Sequence, residues 1–190
     1  MTALLVVAAV LVMAAVYCIA LYNGLVRGRN LAAEAKSGVD VQLKRRADLI
    51  PNLLAAVKGY MGHERGVLEA VTGLRTKIQN APDDSSRFRL EGALTQALGQ
   101  LFAVAENYPQ LRASENFTSL QQELANIESE IQLARRYYNG AARAQNDRVQ
   151  TFPANLVSAS LGFATLPYFE IDDPADRAVP RISFDDGAGA

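Results

Sequence analysis

His63 and Glu64 are the first residues whose types suggest chemistry. A zinc protease helix follows such a His-Glu pair with a second histidine one turn on, because two imidazoles must reach one metal. His63 is the single histidine of the 190-residue chain, so that second ligand is missing. A di-metal helical bundle needs Glu-x-x-His pairs, and Tyr60 rather than a glutamate stands three residues before His63. One histidine also leaves little for a Ser-His-Asp arrangement, and the glycines are scattered rather than gathered into a phosphate-binding loop. The lone Cys18 excludes an intramolecular disulfide framework and a cysteine-based zinc site. These gaps point away from an enzyme, with no metal and no cofactor expected. His63 reads as a helix-surface or capping residue.

Other polar residues are spaced for structure rather than reaction. In "KRRADLIPNLL", Lys44 to Leu54, the side chains of Arg45, Asp48 and Asn52 follow one another by three and four residues and share a helix face. Glu128, Gln132, Arg135, Asn139 and Asn146 share another. Glu64 and Arg75 fall in phase with Tyr60, Val67, Val71, Leu74 and Ile78. A charge at the edge of an apolar seam can snorkel to water, whereas a buried one is costly unless paired and hydrogen-bonded. As a set, Arg45, Asp48, Asn52, Glu64, Arg75, Glu128, Arg135 and Asn139 are candidates for an ordered polar network or a partner surface.

Long helices must position these residues. Leu43, Ala47, Ile50, Leu54, Val57 and Met61 repeat by alternating fours and threes. Leu90, Leu94, Ala97, Leu101, Val104 and Tyr108 repeat the same steps, as do Leu120, Leu124, Ile127, Ile131, Ala134 and Tyr138. Such stripes are the seams of helices packed at shallow angles. No run alternates with period two, so the expected class is all-α, a four-helix, coiled-coil-like bundle. The first helix is expected to run from Ala3 to about Gln79 with a kink at Pro51. The kink frees the Ala47 carbonyl for a donor such as Asn52 or a neighbouring Arg; a new helix opening at Pro51 is the alternative. "APDDSS" and Ser114 mark the starts of two further helices.

Ala3 to Val26 contains no charge and is long enough to cross a bilayer. It lacks the basic n-region and cleavage site of a signal peptide, so an uncleaved anchor is expected. Arg27, Arg29, Lys36, Lys44, Arg45 and Arg46 follow it against Glu34 and Asp40. The positive-inside rule then leaves a short N-terminus outside and the rest in the cytoplasm. Cys18 lies within the span as a small apolar side chain. Ala8, Ala9, Ala14, Ala15 and Ala20 there permit close helix approach, or equally serve as plain lipid-facing filler. The net charge of -1 gives no electrostatic footprint for nucleic acid.

The chain therefore divides into a span at 3–26, a helix bundle at 27–151, a short helix at 152–170 and an irregular tail at 171–190. The short helix, "FPANLVSASLGFATLPYF", is apolar on more than one side, but Pro153, Gly162 and Pro167 interrupt it too often for a second span. It carries no basic residue, which an interfacial helix usually does. Phe152, Leu161, Phe163 and Phe169 are therefore expected to pack on the bundle or on a neighbouring subunit, with contact to lipid as the alternative.

"RRADLIPNLL", "ENYPQLRASENFTSLQQEL", "IQLARRYYNGAARAQN" and "FPANLVSASLGFATLPYFE" occur in that order. The set resembles the LemA family of bacterial membrane proteins from about Tyr22 to Glu170. The resemblance implies one N-terminal span in the inner membrane with a cytoplasmic, mainly antiparallel helical bundle, and a role in membrane organisation from a relative that takes part in building magnetosome membranes. It carries over no biochemical activity. Gln145 departs from the tyrosine expected before Asn146, which affects a local packing contact. The second long helix is much shorter than the cytoplasmic part of the first, whose seam then needs cover from elsewhere. The expected function is a non-enzymatic, homo-oligomeric membrane scaffold; the alternative is an adaptor subunit for a membrane protein partner such as a protease or transporter.

Overall fold

The computed structural model describes residues 1–169 of the chain. Among these the elements are helices α1 (Thr2–Lys58), α2 (Arg65–Gln79), α3 (Asp84–Ala105), α4 (Pro109–Arg112) and α5 (Glu115–Gln150), then a single 3-10 turn, Ala154–Leu156. The expected tail at 171–190 lies outside the described residues.

α1 is one uninterrupted rod of about 85 Å, at 1.5 Å per residue, and it changes character along its length. Its most apolar stretch is long enough to cross a membrane, and none of that stretch is buried inside the protein. From Leu25 onward one face is buried: Leu25, Gly28, Ala32, Ala35, Val39, Leu43, Arg46, Ile50, Leu53 and Val57. α5 buries Phe117, Leu120, Leu124, Ile127, Ile131, Arg135, Tyr138, Ala142, Gln145 and Val149 in an identical order of threes and fours. The two helices are antiparallel: Leu25 packs with Val149, Arg46 pairs with Glu128, and Val57 shares a cluster with Phe117. Both seams contain two consecutive steps of four, around Val39 and around Ile131, a stutter that locally unwinds a coiled coil. Each fully buried Leu, Ile or Val of the seam contributes about 1.5–3 kcal/mol.

Two sequence expectations change here. The first helix ends at Lys58, not near Gln79, because Gly59 and Gly62 are poor helix formers and open a turn whose Met61 plugs the core. The apolar phase continues past that turn, which made the break invisible to periodicity. α2 then folds back along α1, with Leu68 and Thr72 beside Leu54 and Lys58. The helix does pass through Pro51. Among the described residues, however, neither Asn52 nor an arginine donates to the Ala47 carbonyl; Pro51 and Asn52 are both exposed.

α3 begins at the Asp83 cap, whose carboxylate accepts from the Ser86 N–H at 2.8 Å. That hydrogen bond holds the Asp83 carboxyl below its ordinary range. α3 runs parallel to α1, pinned by Lys36–Asp84 at 3.1 Å and Arg87–Asp40 at 2.8 Å. Phe88 meets Tyr138, and Phe102 meets Phe117, so α3 and α5 are antiparallel. These contacts cover the half of the α1–α5 pair farther from the apolar stretch.

The nearer half is covered differently. The short helix expected over 152–170 forms only the 3-10 turn; the chain then continues without regular structure to Phe169. This strap lies on α5 through paired side-chain amides. Asn146 donates to the Leu166 carbonyl at 3.0 Å and accepts from its N–H at 2.7 Å. Asn139 does the same with Phe169, at 3.0 and 2.8 Å. Tyr138 donates to the Pro167 carbonyl at 2.8 Å. The spacing is commensurate: three extended residues and seven helical residues both rise about 10 Å. Phe163 and Phe169 are buried, whereas Phe152 and Leu161 are exposed.

Candidate functional site

The most polar buried point of the molecule lies midway along the α1–α5 seam. Arg46 occupies a seam position and is 1% exposed. Its Nη2 donates to Glu91 Oε2 at 2.5 Å and to the Glu91 carbonyl at 3.2 Å. Its Nη1 donates to Glu128 Oε2 at 2.8 Å and to Thr95 Oγ1 at 2.7 Å. Gln132 donates to the other Glu128 oxygen at 3.3 Å. One cation on α1 thus ties together carboxylates from α3 and α5, fixing the mutual register of three helices.

Arg135 stands one seam step beyond. Its guanidinium lies 3.9 Å from the centroid of the Phe169 ring, a cation–π contact that closes the strap over it. Its Nε and Nη2 are buried without a hydrogen-bond partner. Burial pushes its pKa down to about 10; Glu128 opposes that shift and Arg46 reinforces it. Two arginines and two glutamates balance in charge.

The chemistry open to this arrangement is limited. Arg46 and Glu91 are sealed from solvent, and the Glu91 and Glu128 carboxylates are both engaged by Arg46. A general base must reach a substrate proton; Glu91 is buried against Arg46, and Glu128 is held by Arg46, Thr95 and Gln132. Among the described residues no three His, Cys, Asp or Glu side chains gather closely enough to hold a metal ion. The nearest groove, lined by Lys44, Asp48, Arg75, Asp83, Arg87 and Glu91 among others, is open to solvent and mixed in charge.

The structure brings together part of the set expected from sequence. Glu128 and Arg135 belong to the buried cluster, and Asn139 holds the strap. Arg45 and Asp48 do not join it: Arg45 donates to Gln42 at 3.2 Å, and Asp48 pairs with Lys44 at 2.6 Å, both on the outer face with exposed Asn52. The seam runs through Leu43, Arg46 and Ile50, so the neighbouring arginine is the one turned inward. Glu64 accepts from the Tyr108 hydroxyl at 3.0 Å, and that hydrogen bond raises the phenol's pKa. Arg75 is half-buried in the groove. His63 sits exposed in the turn before α2. Sequence reading missed Arg46, Glu91 and Thr95. The available signal was a charge at a seam position in two helices, Arg46 between Leu43 and Ile50 and Glu91 between Phe88 and Leu94.

Gln145, where the family resemblance leads one to expect a tyrosine, is buried against Gly28. A Cβ on Gly28 would meet the Gln145 and Arg148 side chains, so glycine there permits the helices' close approach.

Comparison with known proteins places this architecture. The family described as "LemA family" matches residues 35–184. Protein LemA of Metamycoplasma hominis is 28% identical over 80% of this chain and 69% of its own length. Magnetosome protein MamQ 2 of Paramagnetospirillum magneticum is 24% identical over 83% of this chain and 68% of its own. Magnetosome protein MamQ of Magnetospirillum gryphiswaldense is 22% identical, covering 85% and 70% respectively.

Proposed function

Because the chain belongs to the LemA family, we propose that it is a membrane-anchored helical scaffold, without catalytic activity, that self-associates to organise a membrane or the proteins in it. The observation that carries this reading is the division of α1. Its N-terminal apolar stretch is unburied, and from Leu25 onward it is the spine of a bundle locked by buried ions. A rod that continues unbroken from span to bundle transmits position and orientation. Relatives named as magnetosome proteins support a membrane-associated role.

Self-association does not follow from a bare seam on α1, because α5 covers that face from Leu25 to Val57. The surfaces left for it are the small residues of the span, such as Ala8 and Ala15, and the outer face bearing Arg45, Asp48 and Asn52. The basic cluster from Arg27 onward favours a cytoplasmic bundle in the inner membrane.

Two differently tagged full-length copies, co-expressed and solubilised in mild detergent, test the reading. Isolation through one tag is expected to recover the second. Recovery of an unrelated membrane protein in constant proportion, without the second tag, contradicts self-association and favours an adaptor for a membrane enzyme.

A further inference from the structure

The antiparallel register places the end of α5 at an informative height. With Leu25 against Val149 and Arg46 against Glu128, Gln150 stands level with Gly24, already inside the uncharged stretch that ends at Val26. The chain does not turn back there. It continues through Thr151, Phe152 and Pro153, which line a cleft with Tyr17, Leu21 and Gly24 of α1. It returns at Phe163, which packs edge-on against Tyr22, 6.0 Å between centroids, and lies under the Arg29 guanidinium at 5.0 Å. Residues 151–162 are therefore a loop standing beside the span, beyond the level of the first cations.

Its surface is built the opposite way from a water-facing loop. Phe152 is 74% exposed, Leu156 71%, and Val157 and Leu161 40% and 45%. No residue from 151 to 169 is charged. Much of the backbone is satisfied internally: the N–H groups of Asn155, Leu156, Val157, Ser158, Leu161 and Gly162 donate to carbonyls within the loop, while Thr151, Asn155 and Ser160 are exposed. The Ser158 hydroxyl donates to the Val149 carbonyl and the Ser160 hydroxyl to that of Val157. Internal satisfaction of the backbone is what a lipid environment demands. The basic residues that an interfacial segment normally carries come from its neighbours, the exposed Arg27 and Arg29 of α1 and Arg148 of α5.

We infer that residues 151–162 form an apolar foot that inserts into the bilayer beside α1, its phenylalanine and leucines among the upper acyl chains, while Arg27, Arg29 and Arg148 meet anionic headgroups. The inference rests on α1 spanning the bilayer. It replaces the expectation that this whole segment packs on protein. Phe163 and Phe169 pack inward, and Phe152, Leu156 and Leu161 face lipid. A second attachment point of this kind fixes the tilt and rotation of the bundle on the membrane, which a single span leaves free.

The absence of tryptophan from the chain makes the test direct. Leu156→Trp and, separately, Phe152→Trp are placed in the full-length protein and reconstituted in vesicles of phosphatidylethanolamine and phosphatidylglycerol. Val16→Trp in the span and Val41→Trp on the outer face of the bundle serve as references; all four positions are exposed. Both foot reporters are expected to match Val16→Trp, with blue-shifted emission, quenching by brominated acyl chains and loss of quenching by aqueous iodide. Val41→Trp shows the reverse. If Val16→Trp is quenched by lipid but both foot reporters only by iodide, the span stands and the foot is wrong. Foot reporters shielded from both quenchers mark a protein contact and equally overturn the proposal. A Val16→Trp open to iodide removes the span, and the foot with it.

Discussion

Arg45 and Arg46 are adjacent in sequence and opposite in environment. Arg46 is locked between Glu91 and Glu128, and Arg45 reaches along the surface to Gln42. Removing one partner of a buried ion pair leaves the others uncompensated, at a cost of about 3–5 kcal/mol. Arg46→Ala is thus expected to lower the denaturation midpoint of the full-length protein sharply. Asp48→Ala breaks only an exposed pair with Lys44 and is expected to cost under about 1 kcal/mol. Denaturant titrations of the two variants check this, and equal midpoints contradict it. The apolar stripe was legible, but not which arginine joined it, because Glu91 and Glu128 lie far along the chain and the choice is made by tertiary pairing. Tyr138 offers a second test. Burial first, then Asp84 and Asp40, push its phenol up to about 12 from 10. A raised folded value contributes stability that is complete below pH 10 and is lost as pH rises through about 12. Tyr138→Phe is expected to flatten that part of the alkaline unfolding profile; an unchanged slope assigns the loss to other groups.

At the scale of elements, the helices followed from their seams, while the turn at Gly59 and the form of the C-terminal segment did not. The seam's phase runs on through Gly59–Glu64, so only the two glycines marked the break. The run from Phe152 to Phe169 has too many apolar residues and breakers for any single period. Its structure is set instead by Asn139 and Asn146, seven residues apart on a helix face already legible as polar. What could not be read was that their partner is main chain, which leaves no side-chain signature. Asn146→Ala or Asn139→Ala deletes a pair of hydrogen bonds to the strap, about 1–3 kcal/mol where the strap's groups stay buried. Hydrogen exchange should then lose protection at the Leu166 or Phe169 amide, respectively, while the facing amides of α1 and α5 keep theirs. Uniform loss across all three elements would show that the strap is inseparable from the global fold.

On the scale of the whole molecule, an apolar span, a cation-rich junction and an ion-locked bundle lie in series along one helix. The charge cluster predicts the side of the membrane: a reporter active only in the cytoplasm should work when fused after Gly187, and activity of a periplasm-only reporter there would reverse the topology. The long apolar N-terminal helix and the fold class were legible because hydropathy and periodicity are local properties. Assembly was not, because the sequence-level case for it assumed an uncovered seam that α5 in fact covers. Self-association therefore rests on the span and on the outer face, and it is the claim most in need of a number. The direct measurement is the protein mass of the purified full-length chain in mild detergent, by light scattering with the detergent contribution removed. A multiple of the 20.5 kDa chain mass is the result this account predicts, and a protein mass of a single chain at all concentrations would contradict it.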